Sequence, residues 1–413
     1  MGKERIIVAM DIGTSKVTTL VGDIDNVDNL YIVGFGEAKT RGIERGVIVK
    51  SNDVVRSIKE SIDMAESTTG SKISSVIANI GGYHLECRND MEEISFENPK
   101  KTITANDIAE LTAKATSNIA DEEHQIIHVI PKKYILDEEY SVIDPVGLYG
   151  SKLRGEFHIV LNKTNSYMNL KRVIEAAGIR VLDFVANPIA SSTAVLYPEE
   201  KDMGVAVLDI GAGTTDIAVY KDGSIEYLKS LPIGGNQITM DIAHRFKLSK
   251  EEAEDLKVNF GTAVVDYTPD EIIEIHPRGS EEPIHISQRE LADTIEARIS
   301  EIFELTLAEL EKEGFIGKIN GGIVLTGGVA NTIYIRELAA AVFKTNDVRI
   351  GKPKDFKGFA DKIAYPQYST VIGMLLFKKN SIGVEQMPVV DSKSELNIFE
   401  FGKNLIQKLK NLF

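Results

Sequence analysis

Two stretches of the chain place an aspartate at the mouth of a glycine-containing turn. Residues 6–24 read IIVAMDIGTSKVTTLVGDI and residues 205–220 read VAVLDIGAGTTDIAVY. Each is an apolar strand ending in Asp11 or Asp209, then Ile-Gly, a small polar turn and a second β-rich strand. Consecutive amides in such a turn form an anion-binding nest, and glycine lets an oligophosphate approach without a Cβ collision. Gly13, Thr14, Ser15 and Lys16 in one turn, and Gly211, Gly213, Thr214 and Thr215 in the other, offer amides, hydroxyls and an ammonium. Asp11 and Asp209 stand where a hydrated Mg²⁺ would sit, an ion that keeps most of its waters. Asp11, Asp209 and Asp216 are also the candidates for assisting hydrolysis. The two aspartates lie 198 residues apart in a chain of 413, which suggests two related halves opening with the same hairpin.

Other phosphate motifs fail their own requirements. Gly211-Ala212-Gly213 begins like a dinucleotide fingerprint, but Asp216 and a strand follow where a glycine and a helix are needed. No Walker loop is present. Three further segments fit a nucleoside triphosphate. Residues 321–330, GGIVLTGGVA, read as a buried strand ending at Gly327, Gly328 and Val329, where an adenine ring could lie on bare backbone. Gly234 and Gly235 follow a strand and allow close approach to a phosphate or sugar. Glu254 and Lys257 are three apart on a helix, so they share a face that could grip ribose hydroxyls. Singly, these features are equally a tight turn, a strand-to-helix loop and a surface ion pair; the set is the argument.

The elements that must position these groups are legible in outline. Helical spacing runs over residues 51–66 behind Ser51-Asn52-Asp53 caps, over 104–120 behind a Thr104/Asp107 box, and over 287–313 behind Ser287/Glu290. The fold expected is α/β, two related halves around a nucleotide cleft. The first-half core takes residues 1–82, 165–197 and 361–383, with an α+β subdomain inserted at 83–164. The second-half core takes 198–228 and 298–360, with a small subdomain at 229–297. His124 and His128 would suit a metal on a helix, but HQIIHVIPKKYIL reads as a strand, so no metal is expected there.

Composition narrows the function classes. Acidic side chains outnumber basic ones 62 to 47, a formal charge of −15 that disfavours nucleic acid as a partner. A lone cysteine, Cys87, excludes an internal disulfide and suits a reducing cytosol. The apolar run at 5–10 is too short for a signal peptide, and no spanning segment is apparent. Residues 384–395 read as an unstructured linker to residues 396–413, LNIFEFGKNLIQKLKNLF. Wound as a helix, this tail lines up Ile398, Phe401, Leu405, Leu409 and Leu412, flanked by Phe399, Ile406 and Phe413, opposite Lys403, Lys408 and Lys410. That pattern fits in-plane binding to an anionic membrane surface, the alternative being a helix docked on its own core. One such helix binds weakly; many on one filament would bind firmly.

In this order the motifs resemble the superfamily of actin, sugar kinases and DnaK-type chaperones. NPIAS at 187–191 and STVIGMLLF at 369–377 resemble its connecting helices. The opening VAMDIGTSKV, the Gly81-Gly82-Tyr83 step, EEHQIIHVIPKKYILDEE and ASSTAVLYPEEKDMGVAVLDIGAGTTDIAVY resemble the bacterial division family FtsA, essentially end to end. The resemblance implies an ATP-binding filament former, peripheral on the cytoplasmic side of the cell membrane at the division site. It implies a tether for the tubulin-like FtsZ, whose C-terminal peptide would bind near residues 229–300, with Arg289 or Arg298 as pairing groups, and recruitment of later division proteins. DnaK-type chaperones carry a glutamate where Asn187 stands; asparagine orients water but takes no proton, so slow hydrolysis is expected. Two rivals stay open: a soluble actin-like component of a pilus or secretion machine, and a small-molecule kinase.

Overall fold

A computed structural model of the chain describes residues 5–96, 101–117, 119, 121–277 and 282–381. The linker 384–395 and the tail 396–413, with Phe401, Lys403, Leu405, Ile406, Lys408, Leu409, Lys410, Leu412 and Phe413, lie outside the described residues. The first half opens with β1 (Arg5–Ile12), β2 (Lys16–Ile24), β3 (Leu30–Lys39), β4 (Ile43–Glu44), β5 (Val47–Ile48), α1 (Ser51–Thr69) and β6 (Ser75–Ile80). The insertion follows as β7 (Leu85–Ser95), β8 (Lys101–Thr102), α2 (Ala105–Ser117), β9 (His124–Leu136), β10 (Tyr140–Val142), β11 (Tyr149–Gly150) and β12 (Lys152–Lys163). Then come α3 (Thr164–Ala176), β13 (Arg180–Ala186) and α4 (Asn187–Val195). The second half runs α5 (Pro198–Met203), β14 (Val205–Ile210), β15 (Thr215–Lys221), β16 (Ser224–Leu231), α6 (Gly235–Phe246), α7 (Lys250–Phe260), β17 (Ile272–Ile275) and β18 (Ile284–Ser287). It ends with α8 (Gln288–Lys312), β19 (Ile323–Thr326), α9 (Ile335–Phe343), β20 (Val348–Ile350), α10 (Ala360–Ile363) and α11 (Ser369–Ser381).

The two halves repeat each other strand for strand. One sheet has the order β3-β2-β1-β6-β13 and the other β16-β15-β14-β19-β20. In the first, β2 runs antiparallel to β1 and β3, while β1, β6 and β13 run parallel. In the second, β15 runs antiparallel to β14 and β16, while β14, β19 and β20 run parallel. Such central strands are covered on both faces, so β14 (VAVLDI) is buried at every position and shows no polar alternation.

Helices α1 and α3 cover one face of the first sheet, where Val54, Ile58, Ile62 and Ile174 meet Val21, Val76 and Ile80. α1 begins at Ser51, with Lys50 as its uncapped N-cap and Asp53 in its first turn; the hydroxyl cap read from Ser51 does not form. Thr104 does engage its box partner, its amide donating to Asp107 Oδ2 at 2.8 Å. On α8, Leu291, Ile295, Ile299, Phe303 and Leu310 are all buried, the single apolar face that their spacing requires.

Between the sheets, α4 and α11 cross in backbone contact. A Cβ on Gly373 would lie 1.8 Å from the Ala190 carbonyl oxygen, so only glycine permits that approach. Leu20 and Ile77 of one half, Val207 and Ala218 of the other, and Leu375 of α11 share a single core. The insertion forms its own sheet, ordered β10-β9-β12-β7. Phe157, Ile159 and Leu161 of β12 pack with Ile108 and Leu111 of α2, while Val160, on the opposite face, joins the core of the main body.

Candidate functional site

The two aspartate turns are built alike. The Gly13 amide donates to the Lys16 carbonyl at 3.0 Å, and the Gly211 amide to the Thr214 carbonyl at 2.9 Å. Behind them, Asp11 pairs with Thr18 across one hairpin and Asp209 with Asp216 across the other. Both turns leave the C-terminal end of a parallel strand, the end at which α/β sheets take their ligands. They meet tip to tip, for a Cβ on Gly213 would lie 2.4 Å from Thr14 Oγ1.

The carboxylates sit in low dielectric. Asp209 and Asp216 are 7% and 3% exposed, and Asp11 is half-buried. Burial pushes Asp209 up to about 7, with Asp216 and Asp11 adding repulsion. It pushes Asp11 to about 7 as well, against the pull of Lys16, and Asp216 to about 6. Carboxyls held so high favour either a proton or a cation. Asp209 Oδ2 accepts from the Thr370 hydroxyl at 2.9 Å. Its Oδ1 lies against Gly327, whose φ of +83° and 2.4 Å clearance for a Cβ both demand glycine.

A chain of amides joins the first turn to the second. The Ile12 amide donates to Asn79 Oδ1 at 2.7 Å, Asn79 Nδ2 to Asn187 Oδ1 at 3.1 Å, and Asn187 Nδ2 to Asp216 Oδ2 at 3.1 Å. Asp216 Oδ1 is buried and has no hydrogen-bond partner among the described residues. Asn187 is thus engaged on both sides of its amide.

The remaining candidates fall into distinct groups. Lys16 Nζ is 2.7 Å from Glu37 and 3.5 Å above the Tyr368 ring. Thr14 Oγ1 accepts from the Gly46 amide at 3.2 Å, and Ser15 is exposed. The Thr215 hydroxyl is committed to the Ile233 carbonyl at 2.9 Å, while Thr214 turns its methyl toward Gly46. Gly234 and Gly235 pack directly on the second turn: the Gly235 amide donates to the Gly211 carbonyl at 2.9 Å. Lys257 Nζ donates to the Gly235 carbonyl at 3.2 Å, Thr239 Oγ1 at 2.9 Å and Glu254 Oε2 at 2.7 Å. A Cβ on Gly235 would touch Val329 at 3.0 Å, which brings Gly235, Glu254, Lys257 and Val329 to one place. Over Gly328 there is open space, nothing lying nearer a Cβ than Gln367 at 3.9 Å, enough for a flat ring on bare backbone.

Other singled-out residues stand apart from this group. Arg298 is paired with Asp241 at 2.6 Å and with Glu301, and Arg289 Nε donates to the Thr268 carbonyl at 3.1 Å. His124 contacts Asp121 at 3.0 Å, and His128 Nε2 accepts from the Ala186 amide at 3.1 Å. Asn79, Glu37 and Thr370 were not singled out from the sequence. Only Asn79 carries a signal there, a polar side chain at a strand end just before Gly81-Gly82.

Comparison with known proteins places the chain. A family model described as "Cell division protein FtsA" matches residues 206–373, and one described as "SHS2 domain inserted in FTSA" matches residues 82–161. The cell division protein FtsA of Neisseria meningitidis serogroup B is 36% identical over 375 residues, 90% of each chain. The chain belongs to the FtsA family of cell division proteins. FtsA of Borreliella burgdorferi is 35% identical over 94% of each chain, and that of Escherichia coli K12 33% over 91% of each. Among solved structures, a PilM-PilN type IV pilus biogenesis complex aligns with TM-score 0.64 at 15% identity, covering 90% of this chain and 98% of that one. MreB5 of Spiroplasma citri bound to ADP aligns with TM-score 0.55 at 16% identity, covering 91% and 96%. These likenesses share the fold alone; the cell-division assignment rests on sequence. The protein is an actin-like bacterial cell division protein with an SHS2 insertion, and no helix among the described residues is long and apolar enough to cross a membrane.

Proposed function

We propose that this FtsA-family chain binds ATP with Mg²⁺ between its halves, polymerises on the inner face of the cytoplasmic membrane and tethers FtsZ there. The observation that carries the nucleotide reading is the pair of like turns meeting tip to tip, backed by carboxyls that burial pushes to about 6–7. Gly13 to Lys16 and Gly211 to Thr214 would cradle the phosphates, and Gly327, Gly328 and Val329 the base. Glu254 and Lys257 would meet the ribose, and Asp11 and Asp209 a magnesium ion through its waters. Bound Mg·ATP supplies phosphates that both turns grasp at once, so it would clamp the halves and favour the polymerising shape. Asn187, tied to Asn79 and Asp216, cannot take a proton from water, in keeping with slow hydrolysis.

The membrane part of the reading rests on the sequence of residues 396–413, with Phe401, Leu405, Ile406, Leu409, Leu412 and Phe413 facing lipid and Lys403, Lys408 and Lys410 facing anionic headgroups. The FtsZ peptide would sit near residues 229–300, where Arg289 would have to leave the Thr268 carbonyl, and Arg298 its pairs with Asp241 and Glu301, to meet acidic residues of the peptide. Co-sedimentation with anionic liposomes, with ATP and Mg²⁺, tests the tether. The full chain should pellet and carry FtsZ down with it, and a chain truncated after Glu395 should do neither. If neither chain pellets, a soluble pilus-type role becomes the better account.

A further inference from the structure

Between β3 and α1 the chain makes a small hairpin of two-residue strands, β4 and β5. Glu44 pairs with Val47, and the intervening Arg45 and Gly46 have φ of +47° and +75°, the pattern of a type I′ turn. Asparagine, aspartate and glycine are the usual occupants of the first position. An arginine held left-handed there costs about 1–2 kcal/mol, and backbone strain of this kind concentrates at functional positions.

The hairpin's place in the fold says what that position touches. The Gly46 amide donates to Thr14 Oγ1 at 3.2 Å. A Cβ on Gly46 would lie 3.2 Å from both Thr214 Cγ2 and Gly82 Cα. The hairpin tip therefore rests on the apex of both aspartate turns at once. Arg45, whose Cα is about 3.8 Å from that of Gly46, is exposed, and its guanidinium has no hydrogen bond or ion pair among the described residues. Three lysines near the turns are already engaged: Lys16 by Glu37, Lys257 by Glu254 and Lys39 by Glu251. In a cleft with three carboxylates, a free side-chain cation would add to the magnesium ion in offsetting the charge of a triphosphate. The planar fork of arginine matches phosphate oxygens better than any other side chain.

We infer that the β4–β5 hairpin is the cleft's terminal-phosphate element and that Arg45 contacts the last phosphate of a bound nucleoside triphosphate, distinguishing it from a diphosphate. This rests on the ATP reading of the same site. The test is equilibrium binding of ATP and of ADP, each with Mg²⁺, to the full chain and to Arg45→Asn and Arg45→Lys variants. Asparagine suits a type I′ turn, so Arg45→Asn removes the guanidinium without harming the hairpin. Arg45→Asn should weaken ATP about tenfold or more, the value of a charge-assisted hydrogen bond, and leave ADP within about twofold. Arg45→Lys should recover part of the ATP affinity. Unchanged ATP binding in Arg45→Asn overturns the inference, as does an equal loss for ATP and ADP, which would make the hairpin a general shaping element. A wild-type chain that binds neither nucleotide overturns the ATP reading itself, an outcome separate from either of these.

Discussion

Asn187 occupies the point at which the two halves are held in register by side chains. Its amide accepts from Asn79, which holds the end of β1, and donates to Asp216, one rung behind the second turn. Both neighbours are nearly buried, at 4% and 3% exposure, so neither can turn to water if the bridge is lost. Replacing Asn187 by alanine should leave two polar groups unpaired at about 1–3 kcal/mol each, part of which water entering the cleft would recover. Lower thermal stability and weaker ATP binding are both expected of Asn187→Ala, read by a melting curve and a titration on the same preparation. A variant that melts and binds like the wild type would sink the idea that this amide couples the turns. The sequence marks Asn187 only as the absence of a glutamate. That its amide spans the cleft depends on β13 lying beside β6, a pairing between residues about a hundred positions apart.

At the scale of elements, the insertion sheet shows what a sequence yields and what it withholds. The alternation of β12 around Phe157, Ile159 and Leu161 announces one buried face, and α2 covers it. The other face carries the polar His158 and Asn162, yet both are fully buried. No local pattern distinguishes a solvated polar face from one that docks on another subdomain, since the docking partner comes from elsewhere in the chain. The same limit hid the commitment of the Thr215 hydroxyl to Ile233. By contrast, both aspartate hairpins were legible because their chemistry and their structure lie within twenty residues. His158 shares a hydrogen bond with Asn89 at 2.7 Å, and its Nε2 has no partner among the described residues. Burial, with smaller contributions from Lys132 and His128, pushes its pKa down to about 3. The unfolded chain therefore binds a proton that the native chain refuses between pH about 6.5 and about 3. Stability from this group is present above that window and is lost as pH falls through it. His158→Gln should make the acid limb of a denaturant-midpoint profile shallower; superimposable limbs would mean that His158 does not contribute.

For the molecule as a whole, the insertion belongs to the first half by connectivity but rests on the second. Strand β16 is the edge of the second sheet and β7 the edge of the insertion sheet, and side chains bridge the two edges. Cys87 Sγ lies 3.4 Å from both the amide and the carbonyl of Leu228, and Asn89 Nδ2 donates to the Glu226 carbonyl at 2.9 Å. These contacts occupy backbone groups that an open edge would offer to another chain. A register shift opposite Glu156 and Phe157 leaves Lys132 unpaired in β9, next to Pro131. Such a bulge re-aims a side chain, and Lys132 Nζ meets Glu226 Oε2 at 2.5 Å with both side chains largely covered. The insertion is thus a strut across the two halves, and any relative motion of the halves must work against it. Lys132→Ala would strand a covered carboxylate and should cost about 2 kcal/mol, less than the roughly 3–5 kcal/mol of a fully buried pair. Glu226→Gln made in the same background should restore part of that loss, because the stranded charge disappears. A double-mutant cycle measured by denaturant unfolding should therefore return a coupling of about 1 kcal/mol or more. Additive losses would show that the strut is held by Cys87, Asn89 and packing rather than by this ion pair.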